Sequence, residues 1–411
     1  MKRTFSILGV GVLSAVFASN ATGQAMFGAM HLDATRIAVT EERPVVDLAL
    51  CLDTSGSMSG LIDAARMKLW EIVNDLALAD PAPRLRVALL TFGNDGHSSE
   101  SGWVRVDVEF TEDLDLVSER LFALTTNGGT ELVGRVLDSA AHELEWNDAP
   151  TSLKLIVVAG NESANQDQQV SFRDASKRAI ERDIIVNSIY CGDPADNLAP
   201  EWREVAVLAD GRFASIDQNQ GTIIIETPFD EQLVELSAAL NETYLPFGDQ
   251  GERGWANQTA QDRNAVGLNT QAAASRAVSK SSQLYVCSWD LVDACRTGQI
   301  KLEEVEENQL PEALRAMTVE ERQAHLEGLS TRRESLQSRI QSVNLERETY
   351  IRDELARQAA DPNRSFDFAL RTAVREQAAA NGLKFSGSTV NEAPVDSTTE
   401  VESPDVDLND C

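Results

Sequence analysis

Positive charge is scarce in this chain of 411 residues. There are 36 lysines and arginines against 66 aspartates and glutamates, which gives a formal net charge of −30. Nucleic acids and anionic membrane surfaces would repel such a protein, so we expect neither as a partner. The charge is compatible with an affinity for divalent cations or basic partners, although solubility is the simpler explanation.

Residues of the kind that carry catalysis are also few. The chain has neither the Gly-x-Ser-x-Gly turn of serine hydrolases nor a phosphate-binding loop. Asp113 and Asp115 are better explained as helix caps than as a carboxylate pair for acid–base chemistry. The four histidines are scattered, with no spacing typical of a zinc site or a catalytic base: His31, His97, His142 and His325. The sequence therefore predicts a protein that is not an enzyme.

No apolar run is long enough to span a bilayer comfortably. Near the N-terminus, Lys2 and Arg3 precede an apolar run over residues 5–18, and small and polar residues then follow up to Ala25. This order of charged, apolar and small residues is that of a secretory signal peptide cleaved after Ala25. We therefore expect residues 1–25 to be a signal peptide and the protein to be secreted or periplasmic.

The cysteines are five, an odd number, and their spacing predicts neither a dense disulfide framework nor a zinc site. Cys51 lies within an apolar run and is expected to be a small core residue. For the others, a Cys191–Cys287 disulfide, a Cys287–Cys295 disulfide and a bond between chains through Cys411 all stay open.

Strand and helix patterns alternate from residue 44 to residue 248, after a short lead-in over residues 26–43. Apolar runs at residues 45–52, 84–92 and 153–159 predict buried strands, whereas residues 104–110 alternate as a half-exposed edge strand does. Strands that alternate with helices predict an α/β fold with a mainly parallel sheet between helices.

The composition changes after Gly248. Residues 249–283 are polar and lack bulky apolar anchors, which predicts a partly helical connector, and residues 284–385 are predicted to be helical. Residues 386–411 carry many acidic residues and no basic one, and we expect a disordered tail.

A long helix is predicted from a capping box at Thr318 to a stop at Pro362. Its apolar stripe has the spacing of a coiled coil, but Arg333 and Arg347 interrupt it. A helical hairpin or a coiled-coil dimer would bury such a stripe. We favour the hairpin because the heptads are few.

The most informative stretch is Asp53-Thr54-Ser55-Gly56-Ser57, which directly follows the first predicted strand. A loop at the carboxyl end of a strand is where an open α/β sheet holds its ligands. One carboxylate and two hydroxyls are hard oxygen donors, which suit Mg²⁺ or Ca²⁺. On the motif alone, these side chains are equally well explained as caps of the next helix.

Together with the loop Gly128-Gly129-Thr130, these features resemble the von Willebrand factor A domain over residues 44–248. The resemblance implies a mostly parallel six-stranded sheet with helices on both faces and a metal-ion-dependent adhesion site. By position, it implies that Ser55, Ser57 and Thr130 bind the metal through their hydroxyls and that Asp53 acts largely through water. The family leaves one coordination position for an acidic side chain of a protein partner.

One position departs from the family pattern. The family has an aspartate at the end of the fourth strand, where this chain has Gly160, followed by Asn161 and Glu162. Either Asn161 or Glu162 replaces that aspartate, or the site works with one carboxylate fewer. Since fewer charged ligands weaken cation binding, Mg²⁺ or Ca²⁺ would then be held weakly.

Two functions follow from these observations. The first is an exported, non-catalytic interaction protein whose metal site binds a partner's carboxylate. The second is a structural scaffold with a degenerate metal site, assembled through its helical C-terminal region, and Gly160 favours it. Trp289-Asp290-Leu291-Val292 and the helices that follow are also similar to the C-terminal regions of bacterial exported proteins with this domain. The sequence does not predict an oligomeric state.

Overall fold

The computed structural model describes residues 43–216, 225–358 and 366–385. The predicted signal peptide, nearly all of the lead-in and the acidic tail lie outside the described residues. Within the three described ranges, no helix combines the length and the apolar character that crossing a membrane requires.

Six strands form one sheet in the order β4-β3-β1-β5-β6-β7, and two short ones form a separate pair. In chain order, the strands are β1 (Val45–Asp53), β2 (Ala79–Asp80), β3 (Arg84–Phe92), β4 (Arg105–Thr111), β5 (Leu153–Gly160), β6 (Ile184–Tyr190), β7 (Phe213–Ser215) and β8 (Lys384–Phe385). Strand β4 is antiparallel to β3, and the other neighbours in the large sheet are parallel. The predicted fold is therefore confirmed, and the predicted edge strand is β4.

Strand β1 is central and is buried along all nine residues. Its side chains alternate between the two faces of the sheet: Leu48 and Leu50 belong to one hydrophobic core, whereas Ala49 and Cys51 belong to the other. Because apolar cores lie on both faces, β1 is a nearly continuous apolar run.

Helices cover both faces of the sheet and make up most of the region after it. In chain order, they are α1 (Ser59–Ala77), α2 (Leu114–Ala123), α3 (Val133–Glu143), α4 (Phe172–Ile180), α5 (Ala199–Val207), α6 (Asp230–Asn241), α7 (Gly251–Leu268), α8 (Thr270–Lys280), α9 (Leu291–Arg296), α10 (Glu312–Arg315), α11 (Val319–Gln358) and α12 (Phe366–Ala380), with a 3-10 helix at Leu302–Glu304. Helices α1 and α2 pack on one face, and α3, α4 and α5 pack on the other. Asp113 caps α2, as predicted, by accepting from the N–H groups of Asp115 and Leu116.

The polar segment after Gly248 forms α7 and α8, and every residue of α8 from Ala272 to Lys280 is buried. Alanine and serine side chains let α8 approach its neighbours closely. Within it, the Arg276 guanidinium bonds to Asp115 of α2 (2.7 Å) and Asp262 of α7 (2.5 Å) and stacks over the ring of Trp70. Buried charge therefore joins this segment to the α/β unit.

The packing of helix α11 explains why two arginines interrupt its apolar stripe. Both are buried: Arg333 bonds to Asp290 (2.7 Å) and Asp293 (3.0 Å), and Arg347 bonds to Asp230 (2.7 Å). The stripe packs on α6, α8 and α9 of the same chain. The favoured hairpin was therefore wrong, because these earlier helices bury the stripe and carry the carboxylates that match the arginines. The coiled-coil dimer stays a prediction.

Helix α12 and strand β8 return to the α/β unit. Val374 and Ala378 enter the core on the α1 face of the sheet. Gln377 and Asn187 of β6 exchange two buried amide hydrogen bonds (2.9 and 2.8 Å), and β8 pairs with β2. The C-terminal described segment is therefore part of the core of the α/β unit.

The four cysteines in the described ranges carry free thiols, so neither a Cys191–Cys287 nor a Cys287–Cys295 disulfide is formed. Cys51 is fully buried in the sheet, as predicted, and burial raises the pKa of its thiol. Cys411 lies outside the described residues.

Two ion pairs join α6 to α11 and differ mainly in burial. Asp230 and Arg347 have side chains only 2% and 5% exposed, whereas Glu242 and Arg332 are 65% and 52% exposed. Asp230→Asn leaves a buried arginine without its counter-charge, so we expect it to lower the free energy of unfolding by about 3 kcal/mol or more. Glu242→Gln should cost no more than about 1 kcal/mol. Urea unfolding of both variants measures the two free energies of unfolding. Equal decreases in the two variants would contradict a larger contribution from the buried pair.

Candidate metal centre

The loop after β1 is held by backbone hydrogen bonds on two sides. The N–H of Thr54 donates to the carbonyl of Phe92 at the end of β3 (2.8 Å). On the other side, the N–H of Gly56 donates to the carbonyl of Gly128 (3.1 Å), and that of Asn127 donates to the carbonyl of Thr54 (3.0 Å). The Asp-x-Ser-x-Ser loop and the Gly-Gly-Thr loop are therefore neighbours, as the resemblance implied.

The side chains of this loop do not cap α1. That helix begins at Ser59, with the apolar Met58 at its N-cap position. The carboxylate of Asp53 accepts instead from the N–H of Ser55 within the loop, with 2.7 Å from Ser55 N to Oδ1. Of the two explanations that the motif left open, the helix cap is therefore excluded by the geometry.

Two serines of this loop and an asparagine from after β5 form a chain of contacts from the interior to the protein surface. The hydroxyl oxygens of Ser55 and Ser57 are 3.3 Å apart, and Nδ2 of Asn161 donates to the Ser57 hydroxyl (3.1 Å). Ser55 is buried and Ser57 is exposed. Asn161 is thus the residue after β5 that reaches the predicted site residues.

Asp53 has one oxygen whose hydrogen-bonding capacity is not used. The residue is 0% exposed, and its Oδ2 has no hydrogen-bond partner among the described residues. A buried carboxylate oxygen without a partner is costly, and its usual explanation is an ion or a water.

The backbone of Thr130 lies next to the site because it pairs with that of Gly93. The two residues pair as an isolated β-bridge, and Gly93 lies against both Asp53 and Ser55. A Cβ at position 93 would lie 2.8 Å from Oδ1 of Asp53, and the residue has a φ of +79°. Only glycine allows the backbone to come this close to the carboxylate in this conformation.

A second carboxyl group, Glu131, lies beside Asp53 and was not among the predicted site residues. It is 3% exposed, and its Cγ would lie 2.9 Å from a Cβ at Gly93. Its place directly after Thr130 was the available signal. The sequence pattern could not tell whether the side chain points toward the loop or toward solvent.

Burial is the main cause of the unusual pKa values of these two groups. It raises the pKa of Asp53 to about 6, against the opposing hydrogen bonds from Ser55 and from the carboxyl of Glu131. Burial, followed by the charge of Asp53, also raises the pKa of Glu131. In the described part of the chain, neither carboxyl forms a salt bridge with a lysine or arginine, so the pair lacks a cation.

Gly160 leaves no room for the aspartate that the family has there. A Cβ at this position would lie 3.0 Å from Cη2 of Trp202 and 3.3 Å from Cβ of Asp53. Trp202 is 1% exposed, and its Nε1 donates to the carbonyl of Glu162 (2.8 Å). The indole therefore occupies the space that a side chain at position 160 would enter.

The residues present fit a hard divalent cation. The site offers the hydroxyls of Ser55 and Ser57, the amide oxygen of Asn161 and two buried carboxyls, with Thr130 adjacent. Across the described residues, no three His, Cys, Asp or Glu side chains converge as metal ligands, so the donors would be mainly uncharged. When bound, a divalent ion supplies positive charge that attracts a further oxygen ligand.

The chain is similar to a known domain family over part of its length. Residues 47–208 match the model of the von Willebrand factor type A domain. No curated protein matches the chain in sequence.

Solved structures with this fold are similar to 43% of the chain. The matches include von Willebrand factor type A from Catenulispora acidiphila (19% identity, 40% of that chain, TM-score 0.34) and proximal thread matrix protein 1 from the mussel byssus with a zinc-occupied MIDAS motif (14% identity, 43% of that chain, TM-score 0.34). A third is the pilus adhesin SpaC from Lactobacillus rhamnosus GG (14% identity, 28% of that chain, TM-score 0.34).

In each of these three matches, the chain spans less than half of the other protein's length, so the likeness concerns the fold alone. The family match, the strand order and the joined loops agree with one another. Residues 47–208 therefore match the von Willebrand factor type A domain and have its fold.

Proposed function

We propose that this protein is an exported, non-catalytic interaction protein whose A domain binds an acidic side chain of a protein partner through a divalent cation. Domains of this family generally mediate protein–protein interaction. Ser55 and Ser57 would hold the ion directly, with Thr130 as a third hydroxyl and Asp53 acting largely through water. Mg²⁺ and Ca²⁺ are the ions that such oxygen donors prefer.

The observation that carries this proposal is the unpartnered Oδ2 of the buried Asp53. A fold that only used this loop as a turn would not need a carboxylate here, where no lysine or arginine of the described residues forms a salt bridge with it. Uncharged hydroxyls leave a bound ion under-neutralised. A partner's carboxylate would then complete both its charge and its coordination.

A second candidate is a scaffold with a degenerate metal site. Trp202 in the space beside Gly160 favours it, because this arrangement gives up one of the family's carboxylates. The buried ion pairs that join the A domain to α7 and α8 also suit a rigid structural unit. In this case, the helical C-terminal region would carry the assembly.

The export of the protein rests on its N-terminal sequence. Lys2, Arg3 and the apolar run up to Ala18 have the composition of a signal peptide. The mature protein would then be periplasmic or secreted, where millimolar divalent cations suit a weak site.

Metal binding tests the two candidates directly. We expect calorimetric titration of Mg²⁺ or Ca²⁺ into the protein to show one site, and Asp53→Asn to weaken it at least about tenfold by removing a charge beside the ion. Asp148→Asn, in the exposed loop before β5 at the opposite end of the sheet, is the matched control and should bind as the unaltered protein does. Absence of binding by the unaltered protein would favour the scaffold.

Partner capture tests whether the ion forms the bridge. Immobilised protein should capture its partner in Mg²⁺ and release it in EDTA, and Ser55→Ala should abolish capture. Ser335→Ala, at an exposed position of α11, serves as the control. Capture that survives both EDTA and Ser55→Ala would rule out a metal bridge.

The space beside Gly160 gives a prediction about stability. Gly160→Ala forces Trp202 or Asp53 to move, so we expect the free energy of unfolding to fall by about 1–3 kcal/mol. At Gly129, a Cβ would meet no atom within 4 Å, so Gly129→Ala is the matched control and should cost much less. Equal stability of the two variants, measured by urea unfolding, would show that Trp202 does not need a glycine at position 160.

A further inference from the structure

We propose that Glu131 supplies the metal-site carboxylate that the chain lacks at position 160. This inference rests on the proposed metal site and assigns a further residue to it. The second carboxylate would come from the glycine loop before α3 instead of from the end of β5.

Gly93 is the point at which the two carboxyl side chains meet. A Cβ at this position would lie 2.8 Å from Oδ1 of Asp53 and 2.9 Å from Cγ of Glu131. The same atom would lie 3.5 Å from Cβ of Ser55. The side chains of Asp53, Ser55 and Glu131 therefore surround one glycine at the carboxyl end of the sheet.

The backbone holds Glu131 in this position. The preceding residue, Thr130, forms the β-bridge with Gly93, and the N–H of Glu131 donates to Oε1 of Gln166 (3.3 Å). At 3% exposure, the Glu131 side chain is directed into the protein and away from solvent. No salt bridge within the described residues pairs Glu131 with a lysine or arginine, and burial raises its pKa to about 9. Its carboxylate form therefore needs another source of positive charge nearby.

Oδ2 of Asp53 is a second sign of a ligand, because no N–H or hydroxyl group of the described residues donates to it. It belongs to a fully buried residue that lies against Glu131 across Gly93. Two adjacent buried carboxyls can hold a cation between them, and without one Glu131 keeps its proton and hydrogen-bonds to Asp53.

The other residues available to replace the missing aspartate are less suitable. A side chain at position 160 would crowd Trp202, whose Cη2 would lie 3.0 Å from the added Cβ. Asn161 bonds to Ser57 but carries no charge. Glu162 is exposed, and its carbonyl is the acceptor for the Trp202 indole. Glu131 is therefore the buried carboxyl closest in position to the predicted ligands.

With Glu131, the site has two carboxylates, the number that the family pattern provides through Asp53 and the fourth-strand aspartate. The position of the second one differs, however. It enters from the glycine loop, on the side of Gly93 and Thr130, whereas the β5 side is filled by Trp202. The hydroxyl of Ser57 and the amide of Asn161 then form the exposed part of the site, where a partner's carboxylate would arrive.

Calorimetric titration of Mg²⁺ into Glu131→Gln tests the proposal. Because a charged group at the ion is removed, we expect Mg²⁺ affinity to fall about 10- to 100-fold. Glu162→Gln removes a nearby exposed carboxylate and is the matched control, with affinity unchanged. Glu131→Asp keeps the charge on a shorter side chain and should retain more affinity than Glu131→Gln.

Thermal unfolding with and without Mg²⁺ gives a second readout. In EDTA, Glu131→Gln should unfold at nearly the same temperature as the unaltered protein, because the raised pKa of Glu131 leaves its carboxyl uncharged without the ion and an amide can also donate a hydrogen bond to Asp53. In Mg²⁺, it should lose most of the stabilisation that the ion gives the unaltered protein. A merely structural glutamate would instead lower the unfolding temperature equally in both conditions.

The outcomes separate this inference from the proposed function. If the unaltered protein binds Mg²⁺ and Glu131→Gln binds it equally well, Glu131 is not part of the site and the metal site stands. If Glu162→Gln and not Glu131→Gln weakens binding, the carboxylate comes from after β5. If the unaltered protein binds no divalent ion, both proposals are overturned.

Discussion

The buried carboxylate at the end of β1 is the constraint on which the loops at the carboxyl ends of the strands depend. Asp53 ends the most buried strand of the sheet, and only one of its oxygens has a partner. Gly93 lies so close to this carboxylate that another side chain there would collide with it. The loops that carry Ser55, Thr130 and Asn161 are all arranged around this one group.

Buried charge also determines how the helices beyond the sheet pack. Arg276, Arg333 and Arg347 each lie in an apolar contact region, and each is matched by aspartates of other helices. An unmatched charge in such a place is costly, so these pairs specify which helices meet and in which register. The helical region and the A domain are thereby one structural unit, which would give a bound partner a rigid surface.

The sheet was predictable from the sequence because β1 and β5 are continuous apolar runs and β4 alternates, and these patterns depend on local burial alone. The position of α11 was not predictable in the same way. Its arginines interrupted the stripe, and the aspartates that match them lie up to 117 residues away in the chain. Similarly, the motif was enough to locate Asp53, Ser55 and Ser57. The burial of Glu131 depends on how the glycine loop packs against Gly93, and no residue spacing in the sequence predicts that packing.

Gly160 and Trp202 have to be considered together. A glycine in place of an aspartate suggests the loss of a metal site when the sequence is read alone, and this supported the scaffold hypothesis. In the fold, the glycine allows an indole from α5 to pack against the end of β5, next to Asp53. Such packing excludes water from one side of Asp53 and makes its unpaired oxygen more costly. A degenerate site would be expected to lose that carboxylate or to expose it. Here the carboxylate is retained and fully buried, with a second one beside it, and this combination supports the proposal of a cation site.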